Sequence, residues 1–134
     1  MAPDPNTKVP AYKPPPGACD SHCHIFGPGD VYPYAADRSY TPPDAPLSRF
    51  KALQATLGLE RAVLVNASCH GNDNTVILDA IAQSNGQYRG VANVGASVTD
   101  AELKRMKKES PFADAVLAER FAMAKLIANP HHYS

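Results

Sequence analysis

Two histidines separated by one residue are the feature of this sequence that points most directly to chemistry. His22 and His24 lie in the segment CDSHCH, residues 19–24. Side chains two residues apart on a β-strand point to the same face. A strand here would therefore carry both imidazoles and Asp20 on one face and Cys23 on the other. Two imidazoles that leave the end of a strand can bind a metal ion, polarise a carbonyl group or transfer protons.

A second pair of polar side chains, Ser68 and His70, follows the apolar run at residues 62–65. That run is apolar on both faces, which is typical of a parallel strand covered on both sides. The C-terminal ends of parallel strands meet at one edge of a sheet, and catalytic residues of α/β proteins gather there. We therefore expect Ser68 and His70 to lie near the histidine pair. Convergence of this kind is a stronger signal than the pair alone.

Three strands and three helices are predicted to position these residues. The strands are expected at residues 18–24, 61–67 and 88–94, with a long loop containing three tyrosines at 25–45. Aromatic rings favour burial and their hydroxyls need partners, so the tyrosines indicate an ordered loop. Strands that alternate with helices predict parallel pairing with right-handed crossovers. The order fits both the start of a (β/α)8 barrel and a small doubly wound sheet.

The helices are predicted from N-caps, from a glycine stop and from apolar residues at helical spacing. The caps are expected at Asp44 with Pro46 in the first turn, at Asn72 or Asp73, and at Thr99 or Asp100. Gly58 is expected to end the first helix. The buried positions of the first two helices are predicted to be Leu47, Phe50, Leu53, Leu57, Val76, Ile77, Ala80 and Ile81.

The composition is that of one soluble globular domain. The chain has 134 residues, of which 44% are hydrophobic and 19% charged, and 13 basic residues balance 13 acidic ones. This balance gives no electrostatic reason to bind nucleic acid or an anionic membrane. No apolar run is long enough to span a membrane, and the N-terminus lacks a signal-peptide pattern. We therefore expect a cytoplasmic protein, whose three cysteines imply no disulfide framework.

The chain divides into three predicted parts. Residues 1–17 are polar and rich in proline, which predicts a mobile arm. Residues 18–103 carry the strand and helix pattern. Residues 104–134 differ, because a charged run precedes a predicted helix at 112–128 and a polar tail. The apolar stripe of that helix consists of Ala113, Val116, Leu117, Phe121 and Ala124.

Three segments of the sequence carry a resemblance to a known group of enzymes. They are residues 16–28 (PGACDSHCHIFGP), residues 37–42 (DRSYTP) and residues 65–74 (VNASCHGNDN). In this order and at these separations they resemble the 2-pyrone-4,6-dicarboxylate lactonases and their close relatives in the amidohydrolase superfamily. The resemblance runs from about Pro14 to Leu103. It implies a (β/α)8 barrel and a hydrolase that opens lactones of dicarboxylic or sugar acids.

The resemblance also implies roles for individual residues. His22 and His24 would act at the reacting carbonyl group, Tyr40 and Ser68 would bind substrate oxygens, and His70 would lie beside them. In most of the superfamily the histidine pair binds a divalent metal. In the pyrone-dicarboxylate branch, histidines and other cationic groups polarise the lactone carbonyl instead. Two options therefore stay open: no cofactor, or one zinc-like divalent metal held by His22 and His24.

Hydrolysis of a lactone also needs a base that takes a proton from water. The resemblance assigns that base to an aspartate at the end of the eighth strand, for which this sequence contains no counterpart. A full barrel takes about 250 residues. We therefore predict the N-terminal β-α-β-α-β-α portion of a barrel, truncated, with a C-terminal helix and with reduced activity.

A partial barrel would leave apolar surface without cover. The face meant for the barrel interior, with Val63, Val65 and Val91, would be partly exposed unless the helix at 112–128 covers it, and exposed apolar surface favours self-association.

One alternative to the hydrolase is a non-catalytic remnant or small binding module that keeps the histidine rim. Another is a protein that binds metal through His22, His24 and His70.

Overall fold

Three strands alternate with three α-helices in the computed structural model, which describes residues 4–109. The strands are β1 (Cys19–Cys23), β2 (Arg61–Val65) and β3 (Tyr88–Val91), and the helices are α1 (Leu47–Leu57), α2 (Thr75–Ala82) and α3 (Asp100–Glu109). A short 3-10 helix at Ser68–His70 follows β2. The strands form one parallel sheet in the order β1-β2-β3, which confirms the predicted α/β class and parallel pairing.

The hydrophobic core lies between one face of the sheet and helices α1 and α2. The predicted buried face of α2 is confirmed, since all four of its apolar positions are buried: Val76, Ile77, Ala80 and Ile81. Helix α1 differs from its prediction, because Leu53 is 36% exposed while Gln54 is buried. Gln54 lies one helical turn after the buried Phe50, and its side chain accepts a hydrogen bond from the Tyr88 hydroxyl. This partner on β3 compensates for the burial of the amide oxygen, while the buried Nε2 of Gln54 has no hydrogen-bond partner within residues 4–109.

The opposite face of the sheet is less well covered by residues 4–109. Along β2, the buried Ala62 and Leu64 alternate with Val63 and Val65, which are only half-buried, and Val91 of β3 is also half-buried. The prediction of a strand covered on both faces therefore holds for the helix side alone. The helix predicted at 112–128 lies outside the described residues.

Strand β1 is irregular at the position that carries the histidines. Asp20 pairs with Ala62 and Cys23 pairs with Leu64, so three residues of β1 span the distance of two on β2. This bulge breaks the strict alternation of faces. Asp20 therefore aligns with the core-facing Ala62 rather than with the histidines, which corrects the expectation that it shares their face. Cys23 contacts the core, as expected, and its thiol donates a weak hydrogen bond to the Val63 carbonyl at 3.4 Å.

The predicted helix ends are confirmed in part. Gly58 ends α1 in a left-handed conformation (φ 74°), and the Thr99 hydroxyl caps α3 by accepting a hydrogen bond from the Glu102 amide at 3.2 Å. Asp44 is not the cap of α1, because the helix begins after Pro46 and the Asp44 carboxylate accepts a hydrogen bond from the Tyr34 hydroxyl instead.

The long loop between β1 and α1 is tied to the rest of the fold. An isolated antiparallel bridge between Phe26 and Ala45 joins its two ends. The Tyr32 hydroxyl donates to Asp79 of α2 at 2.8 Å, and the Tyr34 hydroxyl donates to Asp44 at 2.7 Å. The arm at residues 4–17 precedes β1 and is mostly exposed. Within residues 4–109, none of the helices combines the length and the apolar character needed to cross a membrane.

Candidate functional site

The structure brings the two predicted histidines together at the C-terminal end of β1. Their ring centroids lie 5.1 Å apart and their planes are nearly perpendicular, at 80°. His22 is part of the strand and His24 directly follows it. The Asp20 carboxylate accepts a hydrogen bond from the His22 backbone amide at 3.1 Å, which stabilises the bulged backbone. Both histidines are exposed, so their rings are accessible to a ligand.

The orientation of His24 is determined by strand β2. The Nδ1 atom of His24 lies 2.8 Å from the carbonyl oxygen of Val65. A carbonyl oxygen can only accept a hydrogen bond, so Nδ1 must carry the proton. In the neutral ring Nε2 then has a free lone pair. This arrangement suits a histidine that accepts a proton or coordinates a metal ion through Nε2.

His70 is placed differently from the other predicted site residues. It is only 3% exposed, and its ring lies 4.8 Å from the ring of Tyr34, centroid to centroid. Its Nδ1 donates to the Pro33 carbonyl at 3.2 Å, and its Nε2 accepts a long hydrogen bond from the Gly27 amide at 3.4 Å. Both ring nitrogens are therefore engaged with the loop between β1 and α1. His70 holds this loop against the end of β2.

Ser68 and Tyr40 lie near the surface. Ser68 begins the 3-10 helix after β2 and is exposed, and Tyr40 is 45% exposed. No hydrogen bond within residues 4–109 joins either hydroxyl to His22 or His24. Within residues 4–109 the structure therefore brings the two histidines together and shows no hydrogen bond from this pair to Ser68, Tyr40 or His70.

A cavity of about 660 Å³ lies beside His24. Its walls are formed by the arm at residues 4–7, by Phe26 after β1, and by one face of α1 that includes Arg49 and Leu53. The volume falls within the range of roughly 300–1,000 Å³ that is usual for small-molecule sites. Arg49 was not among the residues predicted from the sequence, because nothing in its local sequence distinguishes it from Lys51, the other cation of α1.

Burial raises the pKa of two groups near the site. The pKa of the Cys23 thiol is raised to about 12, first by burial and then by the nearby Asp20. The thiol is therefore protonated at neutral pH and is a poor nucleophile and metal ligand. Burial, together with the hydrogen bond to Asp44, raises the pKa of Tyr34 well above its usual value.

The histidine pair alone does not complete a metal site. Zinc in proteins generally has three or four protein ligands. In the part of the chain that the structure describes, no group of three or more histidine, cysteine or acidic side chains is arranged to hold a metal ion. His70 does not extend the pair, because both of its ring nitrogens have other partners. Within the described residues, the histidine pair would therefore provide at most two of the ligands that a zinc site needs.

A network of asparagine side chains joins the loops that follow β2 and β3. Asn74 pairs with the backbone of Asn93 in both directions, at 2.7 and 2.8 Å. The Asn93 side chain in turn donates to the carbonyl oxygens of Asn66 and Gly71. This network fixes the 3-10 helix that carries Ser68. Sequence reasoning missed it, because the paired residues lie up to 27 positions apart.

Comparison with known proteins gives this arrangement a family context. The sequence model of a family described as amidohydrolase matches residues 19–113. A 2-pyrone-4,6-dicarboxylate hydrolase of Comamonas testosteroni is 48% identical over 101 residues, which are 75% of this chain and 33% of that protein. A 4-sulfomuconolactone hydrolase of Hydrogenophaga intermedia is 42% identical over 120 residues, which are 90% of this chain and 36% of that protein.

The fold comparison agrees with the sequence comparison. A crystal structure from Acinetobacter baumannii, described as a probable 2-pyrone-4,6-dicarboxylic acid hydrolase with citric acid bound, superimposes with a TM-score of 0.63 at 26% identity. The overlap covers 70% of this chain and 35% of that one, so this chain spans about a third of the length of its relatives. The family match contains the histidine pair, β1, β2 and β3, and it covers more than half of the sequence. On these grounds the chain belongs to the amidohydrolase family.

Proposed function

We propose that this chain acts on a lactone of a dicarboxylic or sugar acid, as the N-terminal part of an amidohydrolase that hydrolyses the C–O ester bond. The observation that carries the proposal is the pair His22 and His24, whose rings lie 5.1 Å apart. His24 also lines a cavity of about 660 Å³. The names of two relatives, a 2-pyrone-4,6-dicarboxylate hydrolase and a 4-sulfomuconolactone hydrolase, support this substrate class.

The same proposal extends to the architecture. The three β/α units correspond to the start of a (β/α)8 barrel, in which the half-buried Val63, Val65 and Val91 would line part of the interior. In this division residues 1–17 are an arm, residues 18–103 are barrel, and residues 104–134 are a tail that begins within α3 and continues outside the described residues. The parallel strand order and the fold similarity support it. An apolar face of this kind favours self-association, which sedimentation equilibrium over a range of protein concentrations would detect.

The geometry suits the cleavage of a lactone. Attack of water on the ring carbonyl creates an oxyanion, which hydrogen-bond donors aimed at that oxygen stabilise. His22 is exposed and can donate a ring N–H to this oxygen. His24 carries a free lone pair on Nε2 and can accept a proton during the reaction. We assign Tyr40 and Ser68 to binding of substrate oxygens, and His70 to support of the rim rather than to direct substrate contact.

A binding module without catalysis, which keeps the histidine pair at the end of β1, is the alternative. Both functions are tested by adding 2-pyrone-4,6-dicarboxylate to the purified chain and following the ultraviolet absorbance of the pyrone ring. Hydrolysis that His22→Ala abolishes would support the lactonase. Saturable binding without turnover, weakened by His22→Ala, would support the binding module. If the purified chain neither hydrolyses nor binds the lactone, both proposed functions are contradicted.

A further inference from the structure

We propose that Asn93 is a positioning residue for lactone binding and that it acts through Ser68. The inference rests on the proposed function, in which Ser68 binds a substrate oxygen. Asn93 follows β3 and Ser68 begins the 3-10 helix that follows β2, so the two residues lie on different loops at the same edge of the sheet. The Asn93 side-chain amide donates to the carbonyl oxygens of Asn66 at 3.1 Å and of Gly71 at 3.3 Å. One amide therefore joins a residue before the 3-10 helix to a residue after it.

The backbone of Gly71 connects this contact to Ser68. Its amide donates to the Ser68 carbonyl oxygen at 2.9 Å, and its conformation (φ 59°, ψ −131°) is one that favours glycine. Since a glycine can readily leave such a conformation, the hydrogen bonds to its carbonyl oxygen restrain the turn. The Asn66 side chain also donates to this oxygen, at 3.4 Å. Loss of the Asn93 amide should therefore loosen the turn without releasing it completely.

The placement of the Ser68 hydroxyl depends on the backbone of this turn. The side chain is exposed, and within residues 4–109 no hydrogen bond holds its oxygen. The position of that oxygen is therefore determined by one rotatable bond and by the backbone that carries it. A ligand that binds to Ser68 on a loose turn must first order the turn, and this ordering lowers the affinity. A turn that Asn93 already restrains avoids the loss.

Asn93 is itself held in place by a buried neighbour. Asn74 is only 6% exposed, and its side chain accepts from the Asn93 backbone amide at 2.7 Å and donates to the Asn93 carbonyl oxygen at 2.8 Å. The side-chain amide that restrains the turn thus projects from a backbone whose own polar groups are both bonded.

Asn72 provides a matched control in the loop that follows the 3-10 helix. Its side chain is exposed, and in the described part of the chain it joins the asparagine network through its backbone carbonyl, which accepts from Asn74 at 2.9 Å. Asn72→Ala removes the same chemical group as Asn93→Ala, but it leaves the hydrogen bonds to the Asn66 and Gly71 carbonyls intact.

The first measurement needs no ligand. Amide hydrogen exchange, followed for individual residues by NMR, reports how often the Gly71 amide separates from the Ser68 carbonyl. We expect Asn93→Ala to speed exchange of the Gly71 amide about tenfold, as the loss of one hydrogen bond would. Asn72→Ala should leave this rate within about twofold of the wild-type rate.

The second measurement is a double-mutant cycle in ligand affinity. Isothermal titration calorimetry with 2-pyrone-4,6-dicarboxylate is applied to the wild type, Asn93→Ala, Ser68→Ala and the double variant. We expect each single variant to bind about three- to tenfold more weakly. The double variant should match Ser68→Ala within about twofold, because Asn93 then has no hydroxyl left to position. Asn93→Gln, which keeps the amide, should recover part of the affinity, and Asn72→Ala should bind as the wild type does.

Circular dichroism melts establish that each variant is folded. If Asn93→Ala does not fold, Asn93→Ser, which keeps one donor on a shorter side chain, takes its place in both measurements.

Additive losses in the double variant would overturn the assignment, because they would give Asn93 and Ser68 independent roles. Unchanged affinity in Asn93→Ala, or equal losses in Asn93→Ala and Asn72→Ala, would overturn it as well. In each of these cases, wild-type binding that Ser68→Ala weakens would leave the proposed function intact. A wild-type chain that neither binds nor hydrolyses the lactone would contradict the proposed function and this inference with it.

Discussion

The Nδ1 atom of His24 lies 2.8 Å from the carbonyl oxygen of Val65, and this contact determines which side of the imidazole faces a ligand. Val65 is the last residue of β2, the strand next to the one that His24 follows. The central strand of the sheet therefore orients the histidine and fixes its neutral tautomer. Only Nε2 remains for chemistry.

A substitution of His24 can distinguish the roles of its two ring nitrogens. In His24→Asn the shorter amide can keep the hydrogen bond to Val65, but it has no group in the place of Nε2. We expect His24→Asn to lose binding of 2-pyrone-4,6-dicarboxylate as completely as His24→Ala, measured by calorimetry. Substantial binding by His24→Asn alone would mean that the ring contributes only through its contact with Val65.

The sequence was sufficient to predict the parts of the fold that depend on local patterns. The apolar run at 62–65 and the spacing of the apolar residues in α2 predicted a parallel strand and a buried helix face, and both are present. The bulge in β1 could not be predicted, because it depends on the register with β2. The local sequence favours Asp44 as a helix cap, because it does not reveal the actual partner, Tyr34, which lies ten residues away in the long loop.

The candidate site also contains residues that local spacing predicts and residues that only non-local packing places. His22 and His24 are two residues apart, so any extended conformation brings their rings close together, and local spacing was enough. The engagement of His70 with Pro33 and Gly27 depends on the path of a long loop, which sequence spacing does not determine. Arg49 joins the site only because α1 packs beside the end of β1. Non-local packing therefore accounts for the part of the site that was missed.

We predict that His70 stabilises the fold more than His22 does. His70→Ala would leave the Gly27 amide and the Pro33 carbonyl without their protein partner and would remove a buried ring. A loss of roughly 2 kcal/mol or more in the free energy of unfolding is expected. His22 is exposed, so His22→Ala should change the same quantity by no more than about 0.5 kcal/mol. Urea denaturation at neutral pH measures both, and equal effects would contradict a supporting role for His70.

We predict that Asp73 stabilises the start of α2 in a pH-dependent way. Its carboxylate accepts hydrogen bonds from the Thr75 hydroxyl at 2.6 Å and the Thr75 amide at 3.0 Å, and the hydroxyl contact is the main reason that the pKa of Asp73 lies below its ordinary value of 3.8. Asp73→Ala should lower the free energy of unfolding by about 1 kcal/mol at pH 7.

The sign of the pH dependence follows from the lowered pKa of Asp73. Its stabilising contribution is full above pH 3.8 and is lost as the pH falls through the lower, folded-state pKa. The stabilities of wild type and Asp73→Ala should therefore converge below about pH 4. Asp37→Ala, in the exposed part of the long loop, is the control. A difference that stays constant down to acid pH would exclude an ionic contribution from Asp73.

We predict that Tyr34 and Tyr40 of the long loop contribute to different properties, because they differ in their partners. The Tyr34 hydroxyl donates to Asp44 at 2.7 Å and its ring packs on His70, whereas Tyr40 is 45% exposed. Tyr34→Phe should lower the free energy of unfolding by about 1 kcal/mol, because it removes a hydrogen bond to a charged acceptor. Tyr40→Phe should leave stability within about 0.5 kcal/mol. If Tyr40 binds substrate oxygens, however, Tyr40→Phe should weaken lactone binding.

The two tyrosine variants should therefore each affect a different measurement. Thermal or urea unfolding should single out Tyr34→Phe, and calorimetry with 2-pyrone-4,6-dicarboxylate should single out Tyr40→Phe. The pKa of Tyr34 is raised by burial, so the stability it contributes is present at neutral pH and is lost only as the pH rises through that raised value. A Tyr40→Phe variant that binds the lactone as wild type does would remove Tyr40 from the site.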